Sequence, residues 1–292
     1  MTGGRKIWHF YALLTIFLWA SAYVYTKVAL AAFSPGPLGF LRCAAALAAL
    51  VVICFVKKAA PPPLSLKTTG LFILSGAAGF SVYLYLFNNG AGLLTASASC
   101  LIISTAPVIT ALGGFIIYRE KFPPLAWAAM AVEFGGIMVM TMKGGPLTLN
   151  SGLAWMLGAA LAISAYNLIQ RAASRSHSAL MATTAAFLTG TAMLSFYSRQ
   201  AVRELAQASA GQIAVVIFLG LGPSAAAYLA WTKALALSDK PGAVANYMFL
   251  TPFVATVLGY LIINEKPDTA TLTGGAIILS GLGLFNFAAR QK

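Results

Sequence analysis

Aromatic and polar side chains recur at helical spacing inside long apolar stretches of this 292-residue sequence. Trp19, Tyr23 and Thr26 follow one another at intervals of four and three residues, which places them on one face of a helix. Asn167 and Asn246 lie deep within other apolar stretches, where an unpaired amide is costly. Rings, hydroxyls and amides of this kind hold a zwitterionic molecule with an apolar side chain by stacking and hydrogen bonding.

We interpret a larger group of such residues as the lining of a substrate-binding site. The alternative for any one residue is structural, because Ser and Thr bond their own helix backbone and Trp and Tyr favour membrane interfaces. The interpretation therefore rests on the group and on its two deep amides. The predicted substrate-binding residues are Trp19, Tyr23, Tyr83, Ser97, Ser104, Tyr166, Asn167, Tyr228, Trp231, Asn246 and Tyr247.

One acid and two prolines inside the apolar stretches also carry hypotheses. Glu133 is the only carboxylate in the middle of a stretch, and such a group is costly in a membrane and usually functional. It is a candidate for proton coupling; the alternatives are that it stays protonated or pairs with a neighbouring helix. Pro107 and Pro252 each kink a helix, which predicts either paired hinges or static curvature.

The sequence contains no recognisable set of catalytic or metal-binding residues. His9 and His177 lie at the ends of apolar stretches without partners, and no nucleophile–base pair is evident. Cys43, Cys54 and Cys100 lie inside apolar stretches and have the character of small buried hydrophobic residues. We therefore expect no enzyme activity, no metal and no cofactor, and the phosphate-binding Gly-x-x-x-x-Gly-Lys pattern is also missing.

The composition indicates that lipid surrounds most of the chain. Hydrophobic residues make up 60% of the sequence and charged residues only 9%, where a soluble domain carries about a quarter. The net charge of +13 raises the question of nucleic acid, but the basic residues fall singly and in pairs between apolar stretches. We expect a lipid bilayer as the surroundings and no nucleic-acid partner.

Ten apolar stretches predict ten transmembrane helices, because each is near the roughly 20 residues needed to cross a bilayer. Backbone groups in hydrocarbon must be satisfied within each segment, and the stretches lack the alternation of barrel strands. The fold class is thus an all-α polytopic membrane protein. The predicted helices span residues 8–32, 35–56, 68–88, 94–118, 124–142, 152–173, 178–198, 210–234, 241–263 and 270–289.

The distribution of Lys and Arg predicts the orientation, with the N- and C-termini in the cytoplasm. One side collects thirteen basic residues and the other four, a bias typical of a multi-pass protein of the bacterial inner membrane. Lys27 and Arg42 are left over, near the outer ends of predicted helices 1 and 2. The cytoplasmic residues are Arg5, Lys6, Lys57, Lys58, Lys67, Arg119, Lys121, Arg171, Arg175, Lys233, Lys240, Arg290 and Lys292; the outer residues are Lys143, Arg199, Arg203 and Lys266.

An internal repeat appears when the sequence is shifted along itself by 145 residues. It divides the chain into two halves, residues 1–145 and 146–292. Five helices per half is an odd number, so the second half enters the membrane from the opposite side. Inverted repeats of this kind are typical of secondary transporters with a site near mid-membrane, and one chain supplies both halves. A monomer is therefore sufficient, and a homodimer is possible. The matched pairs are Tyr83 with Tyr228, Pro107 with Pro252, Gly114 with Gly259 and Gly136 with Gly281.

Three motifs give the whole chain a resemblance to a known family. Arg119-Glu120-Lys121 and Glu265-Lys266 follow the fourth helix of each half, and Trp19-Ala20-Ser21-Ala22-Tyr23 lies on the first helix. With its length, the chain resembles the EamA-type branch of the drug/metabolite transporter superfamily and, within it, the YddG-type exporters of aromatic amino acids. The resemblance implies a central cavity lined by helices 1, 3, 4, 6, 8 and 9, with helices 2, 5, 7 and 10 outside.

We therefore expect a secondary transporter that exports neutral or aromatic amino acids, and related xenobiotics, by alternating access. Few charges lie on the helices assigned to the cavity, where Lys27 and Lys233 are the candidate cations. Essential roles for these lysines would favour a carrier of nucleotide-sugars, phosphate esters or vitamins instead. The remaining alternative is a membrane component that transports nothing.

Overall fold

The computed structural model describes residues 4–59, 65–119, 121–141, 151–173, 178–237, 244 and 246–289. Eight helices in these ranges are long and apolar enough to cross a membrane, and two apolar helices are shorter. The all-α polytopic fold is thus confirmed. The segments are α1 Gly4–Leu30, α2 Pro35–Val56, α3 Leu66–Leu93, α4 Ala96–Tyr118, α5 Pro124–Thr141, α6 Ser151–Ala173, α7 Ala179–Gln207, α8 Ala210–Leu237, α9 Asn246–Ile263 and α10 Thr269–Ala289.

Helix α7 extends further than the hydropathy pattern predicts. The predicted helix ends at residue 198, but the chain continues through a short 3₁₀ turn into Ser198–Gln207. This extension is amphipathic: Arg199 and Arg203 are exposed, whereas Ala201 is fully buried. A hydropathy pattern misses such a segment because the charged residues on one face lower the mean hydropathy of the whole helix. For α9 the predicted start at residue 241 lies outside the described residues.

Two π-helical segments mark α3 and α8 at matching places in the two halves. They are Ala77–Val82 and Gly220–Ala226, and the matched Tyr83 and Tyr228 follow them. A π-helical turn is rare and frequently occurs at functional sites, because it changes the direction of the side chains that follow. The two halves therefore share their irregular features as well as their helices.

Helices α4 and α9 are interrupted at matching places as well. The second part of each contains 13 residues, Ala106–Tyr118 and Thr251–Ile263, and these ranges are 145 residues apart. Each ends at a residue with left-handed backbone, φ 54° at Arg119 and 53° at Asn264. Pro107 and Pro252 are the second residues of these parts, so both predicted kink positions coincide with a helix interruption.

An ion pair joins three helices at the outer end, the end predicted to face away from the cytoplasm. The Lys27 ammonium on α1 pairs with the Glu265 carboxylate, which follows α9, and donates to the Leu94 carbonyl oxygen over 2.8 Å. The other oxygen of Glu265 accepts from the Ala96 backbone N–H at the start of α4, over 2.7 Å. A helix N-terminus favours a carboxylate. These bonds link α1, α4 and α9 at this end.

Glycines allow the closest approach between helices, and the α3–α7 contact is the tightest example. A Cβ atom added to Gly76 would lie 2.6 Å from the backbone nitrogen of Gly190 and 2.7 Å from the carbonyl oxygen of Ala186. Backbone atoms cannot rotate away as a flexible side chain can. Small residues at such crossings are the usual means of helix association in membranes.

We expect Gly76→Ala to lower the melting temperature of the purified protein in detergent. The added methyl group would force α3 and α7 apart, at a cost of about 1–3 kcal/mol. Gly70→Ala on the same helix is the matched control, because no atom lies within 4 Å of a Cβ built there. Equal melting temperatures for the two variants would show that α3 and α7 are not in backbone contact.

We expect Glu265→Gln to open the outer end to solvent. The test uses a single cysteine at position 97, with Cys43, Cys54 and Cys100 replaced, since Ser97 is buried and its hydroxyl bonds Thr256 of α9 over 2.8 Å. A membrane-impermeant maleimide should label this cysteine several-fold faster in Glu265→Gln, because the ammonium and the Ala96 N–H lose their anion.

The control for this experiment is Lys266→Gln, which removes an exposed charge next to the ion pair. Its labelling rate should equal that of the parent protein. An unchanged rate in Glu265→Gln would show that apolar packing alone keeps the outer end closed.

Candidate functional site

Aromatic rings from α1 and α8 form the centre of the candidate site. The ring centroid of Trp19 lies 5.8 Å from that of Tyr228 and 5.3 Å from that of Trp231. All three residues are partly exposed, so their rings remain available to a bound molecule. At these centroid distances aromatic rings attract each other. The structure thus brings together three of the predicted substrate-binding residues.

A second group of predicted residues, from α1, α3 and α4, continues this site. The rings of Tyr23 and Tyr83 both pack on Phe87, at centroid distances of 5.4 and 5.5 Å. Tyr23 and Cys100 pack in one buried core between α1 and α4. The Ser104 hydroxyl donates to the Cys100 carbonyl oxygen over 2.8 Å. This core therefore extends from α1 to the interruption in α4.

Arg42 lies among these tyrosines, and the sequence analysis did not place it there. Its side chain comes from α2, is 8% exposed, and its Nε donates to the Ser224 hydroxyl over 2.8 Å. The guanidinium is close enough to interact electrostatically with the phenol groups of Tyr23, Tyr83 and Tyr228. The resemblance implied that helix 2 stays outside the cavity and that its lining carries few charges. The structure shows that one side chain of α2 reaches inward as far as α8.

A proline in α8 explains why a polar group is available to Arg42. Pro223 has no N–H to donate to the carbonyl oxygen of Leu219, four residues earlier. The Ser224 hydroxyl donates to that oxygen over 2.9 Å and accepts from Arg42. At Gly220 the backbones of α8 and α2 come together, since an added Cβ would lie 3.0 Å from the Arg42 carbonyl oxygen. The irregular part of α8 thus positions the guanidinium.

The other predicted substrate-binding residues lie apart from this centre. Ser97 bonds α9 near the outer end, and Tyr166 is buried against Phe80 at a ring distance of 5.4 Å. Asn167 is exposed, and its amide lies 3.4 Å from the hydroxyl of Thr110 on the second part of α4.

Helix α9 contributes the remaining two predicted residues. The Tyr247 hydroxyl bonds the His9 ring near the inner ends of α1 and α9. The backbone of Asn246 opens α9, but its side chain lies outside the described part of the structure. The prediction that Asn246 contacts substrate therefore stays a prediction.

Glu133 lies between α5 and α10. It is 1% exposed, and neither carboxylate oxygen has a hydrogen-bond partner within the described residues. A Cβ added to Gly281 of α10 would lie 2.7 Å from the Glu133 Cγ, so the side chain fills the space above that glycine. The α5–α10 pair crosses at the matched Gly136 and Gly281, both with backbone of the other helix within 3 Å of an added Cβ.

A cleft of about 500 Å³ opens at the outer end beside the turn between α1 and α2. The end of α3 forms its other wall, where the Asn88 amide donates to the Pro35 carbonyl oxygen over 2.8 Å. None of the predicted substrate-binding residues lines this cleft.

The arrangement at the centre is suited to binding rather than to bond breaking. It combines aromatic rings, phenol and serine hydroxyls and one guanidinium, which are groups chemically suited to a small molecule with an apolar part and an anionic group. In the part of the chain that the structure describes, no three His, Cys, Asp or Glu side chains come together to hold a metal ion.

Comparison with known proteins agrees with this architecture. A 28% identical relative from Streptantibioticus cattleyicolor, covering 94% of this chain and 91% of its own, is named a probable terminal-alkyne amino-acid exporter. The uncharacterized transporter YdfC of Bacillus subtilis is 26% identical, over 92% of this chain and 87% of its own. A solved crystal structure shares the fold with a TM-score of 0.62, at 17% identity and over 99% of each chain.

The family assignment rests on the two halves separately. The sequence pattern of the EamA-like transporter family matches residues 6–142 and, a second time, residues 150–287. Each match contains one set of five helices, which agrees with a two-repeat helical fold. The ten helices, the repeated irregularities and both matches lead to one conclusion: the chain belongs to the EamA-like transporter family.

Proposed function

We propose that this protein is a secondary transporter that exports neutral and aromatic amino acids across the bacterial inner membrane. The observation that carries the proposal is the ring cluster of Trp19, Tyr228 and Trp231 beside a buried guanidinium. An amino acid offers an apolar side chain to such rings and a carboxylate to such a cation. The name of the relative from Streptantibioticus cattleyicolor points to the same class of substrate.

Carriers of phosphate esters or nucleotide-sugars are the alternative, and Arg42 is the observation in its favour. The two lysines that such a carrier would use are engaged elsewhere. Lys27 pairs with Glu265, and the ammonium of Lys233 lies 5.0 Å above the ring of Tyr11. One guanidinium among tyrosines matches the single negative charge of a carboxylate better than the charge of a phosphate ester.

Alternating access between the halves 1–145 and 146–292 is the mechanism we propose. The ion pair between Lys27 and Glu265 closes the outer end, and export requires that it break. Pro107 and Pro252 lie directly after the matched interruptions of α4 and α9, where few backbone bonds resist bending, which supports their proposed role as hinges. A single chain contains both halves, so the mechanism needs no second copy.

Counterflow of radiolabelled phenylalanine or tryptophan into proteoliposomes tests the function directly. Vesicles preloaded with unlabelled amino acid should accumulate label above empty liposomes, and unlabelled aromatic amino acids should compete. Accumulation of a labelled phosphate ester, without any of amino acids, would favour the alternative carrier. Exchange of neither class would contradict the proposed function.

We expect Trp19→Ala to reduce the apparent affinity for tryptophan and phenylalanine by up to about tenfold, since the contact between the Trp19 ring and the substrate ring is worth about 0.5–1.5 kcal/mol. Counterflow of alanine, which offers no ring, should change much less. Phe55→Ala is the matched control, because that ring is 78% exposed on α2. An equal loss for all three amino acids would show that Trp19 supports the fold and does not contact the substrate side chain.

We expect Glu133→Gln to retain counterflow and any response to an imposed pH gradient. Its side chain faces Gly281 and not the aromatic centre, and glutamine keeps the shape of a neutral carboxylic acid. The same vesicles are assayed at two pH gradients, with the unmodified protein alongside. Loss of the gradient response with counterflow intact would instead assign proton coupling to Glu133.

A further inference from the structure

The guanidinium of Arg42 is the most unusual buried charge in the described part of the chain. Arg42 is the eighth residue of α2, about 10 Å from the start of that helix. Its Nε is satisfied by Ser224, but its Nη1 is shielded from solvent and has no hydrogen-bond partner. A buried group with unused donors costs free energy that the fold must supply from other contacts.

No described carboxylate neutralises this guanidinium. Glu265 pairs with Lys27, and Glu204 accepts hydrogen bonds from the backbone and hydroxyl of Ser34. Asp268 accepts from the Thr271 backbone N–H at the start of α10, and Glu133 lies between α5 and α10. The ionisable groups close enough to interact electrostatically with Arg42 are neutral: the phenols of Tyr23, Tyr83 and Tyr228 and the thiol of Cys43. An uncompensated charge of this kind in a membrane helix is a mark of function.

The fold itself does not require a cation at this position. Helices α2 and α7 correspond with a shift of 144 residues: a Cβ added to Gly220 would meet the Arg42 carbonyl oxygen and the Ala46 nitrogen, and one added to Gly76 would meet the Ala186 carbonyl oxygen and the Gly190 nitrogen. Arg42 therefore corresponds to Ala186 on α7, which is completely buried. The second half thus builds the equivalent place with a small apolar residue. Packing of the first half therefore does not depend on a guanidinium at position 42.

We propose that Arg42 binds the carboxylate of the transported molecule, with Ser224 holding the guanidinium in position through Nε. The inference rests on the proposed function and adds the anchoring residue and its ligand chemistry. The unused Nη donors form charge-assisted hydrogen bonds to carboxylate oxygens, and the nearby phenols can donate further ones. The apolar part of the molecule then lies against the rings of Trp19 and Trp231.

Three probes that share a phenyl ring and carry different charged groups test the assignment. Phenylalanine carries both an ammonium and a carboxylate, phenylacetate only the carboxylate, and phenethylamine only the ammonium. Binding of each to purified protein in detergent is measured by the change in tryptophan fluorescence, and the melting temperature is measured in parallel. Arg42→Gln is compared with Arg42→Lys and with Ser224→Ala. Lysine keeps the positive charge but cannot donate two parallel hydrogen bonds to a carboxylate as a guanidinium does.

We expect Arg42→Gln to weaken binding of phenylalanine and phenylacetate about tenfold or more and to leave phenethylamine unchanged. Arg42→Lys should recover part of the loss, and Ser224→Ala should produce a smaller loss of the same selectivity. The melting temperature of Arg42→Gln should not fall, since the unsatisfied donors disappear with the guanidinium.

The experiment distinguishes failure of the Arg42 assignment from failure of the proposed amino-acid export. Phenylalanine binding that is equal in Arg42→Gln and the unmodified protein overturns the assignment and leaves amino-acid export standing. Binding of phenylacetate but not phenylalanine, lost in Arg42→Gln, removes amino acids as substrates and leaves the carboxylate site standing. An equal loss of all three probes with a lower melting temperature, or no carboxylate binding by the unmodified protein, overturns the assignment.

Discussion

Every backbone N–H and C=O group in hydrocarbon needs a partner from the chain itself, and this constraint shapes the whole molecule. It makes the apolar stretches helical, and it also decides what happens where a helix is irregular. Before Pro107, the hydroxyls of Ser104 and Thr105 donate to carbonyl oxygens of their own turn, over 2.8 and 2.7 Å. At Pro223, the Ser224 hydroxyl does the same for Leu219. Each defect in a helix therefore brings polar side chains into the middle of the bundle.

The inverted repeat supplies the scaffold, and departures from the repeat supply the chemistry. Matched π-helical turns, interruptions and left-handed helix ends show how closely the two halves agree. Arg42 corresponds to Ala186 in the matched helix crossings, and Glu133 corresponds to Ile278; both of these apolar residues are fully buried. Packing does not require a charged residue at a position where the other half of the repeat has an apolar one. We therefore expect the functional residues of an inverted repeat at positions where its two halves differ in this way.

Much of the fold was predictable because the signals are long and redundant. A run of about 20 apolar residues fixes a helix irrespective of its neighbours, and a repeat of 145 residues is visible in several pairs at once. The polar centre was only partly predictable. Trp19, Tyr23, Tyr83, Tyr228 and Trp231 meet as a group, because their spacing along each helix points them to one face.

Arg42 was missed because its contribution depends on how α2 is rotated about its axis. The hydropathy of α2 is high throughout, so the sequence does not indicate which side of the helix faces the interior of the protein. The rotation is set by the approach of Gly220 and by the π-helical turn of α8, which are tertiary features. One signal was available: an arginine a quarter to a third of the way into an apolar stretch is costly unless it has a purpose. Tyr166 shows the converse, a predicted lining residue that packs into the α3–α7 core instead.

Helix α4 connects the closed outer end to the binding centre, which gives it a particular place in the proposed cycle. Its first backbone N–H is held by Glu265, and one turn later Cys100 packs in the same buried core as Tyr23. The interruption at Ser104 and Thr105 then separates this outer part from the part that follows Pro107. The first part of α4 therefore belongs both to the ion-pair cluster at the outer end and to the core around Tyr23. Movement of eight residues, Ala96–Ile103, would change the closure and the site together, without any change in the part of α4 beyond the proline.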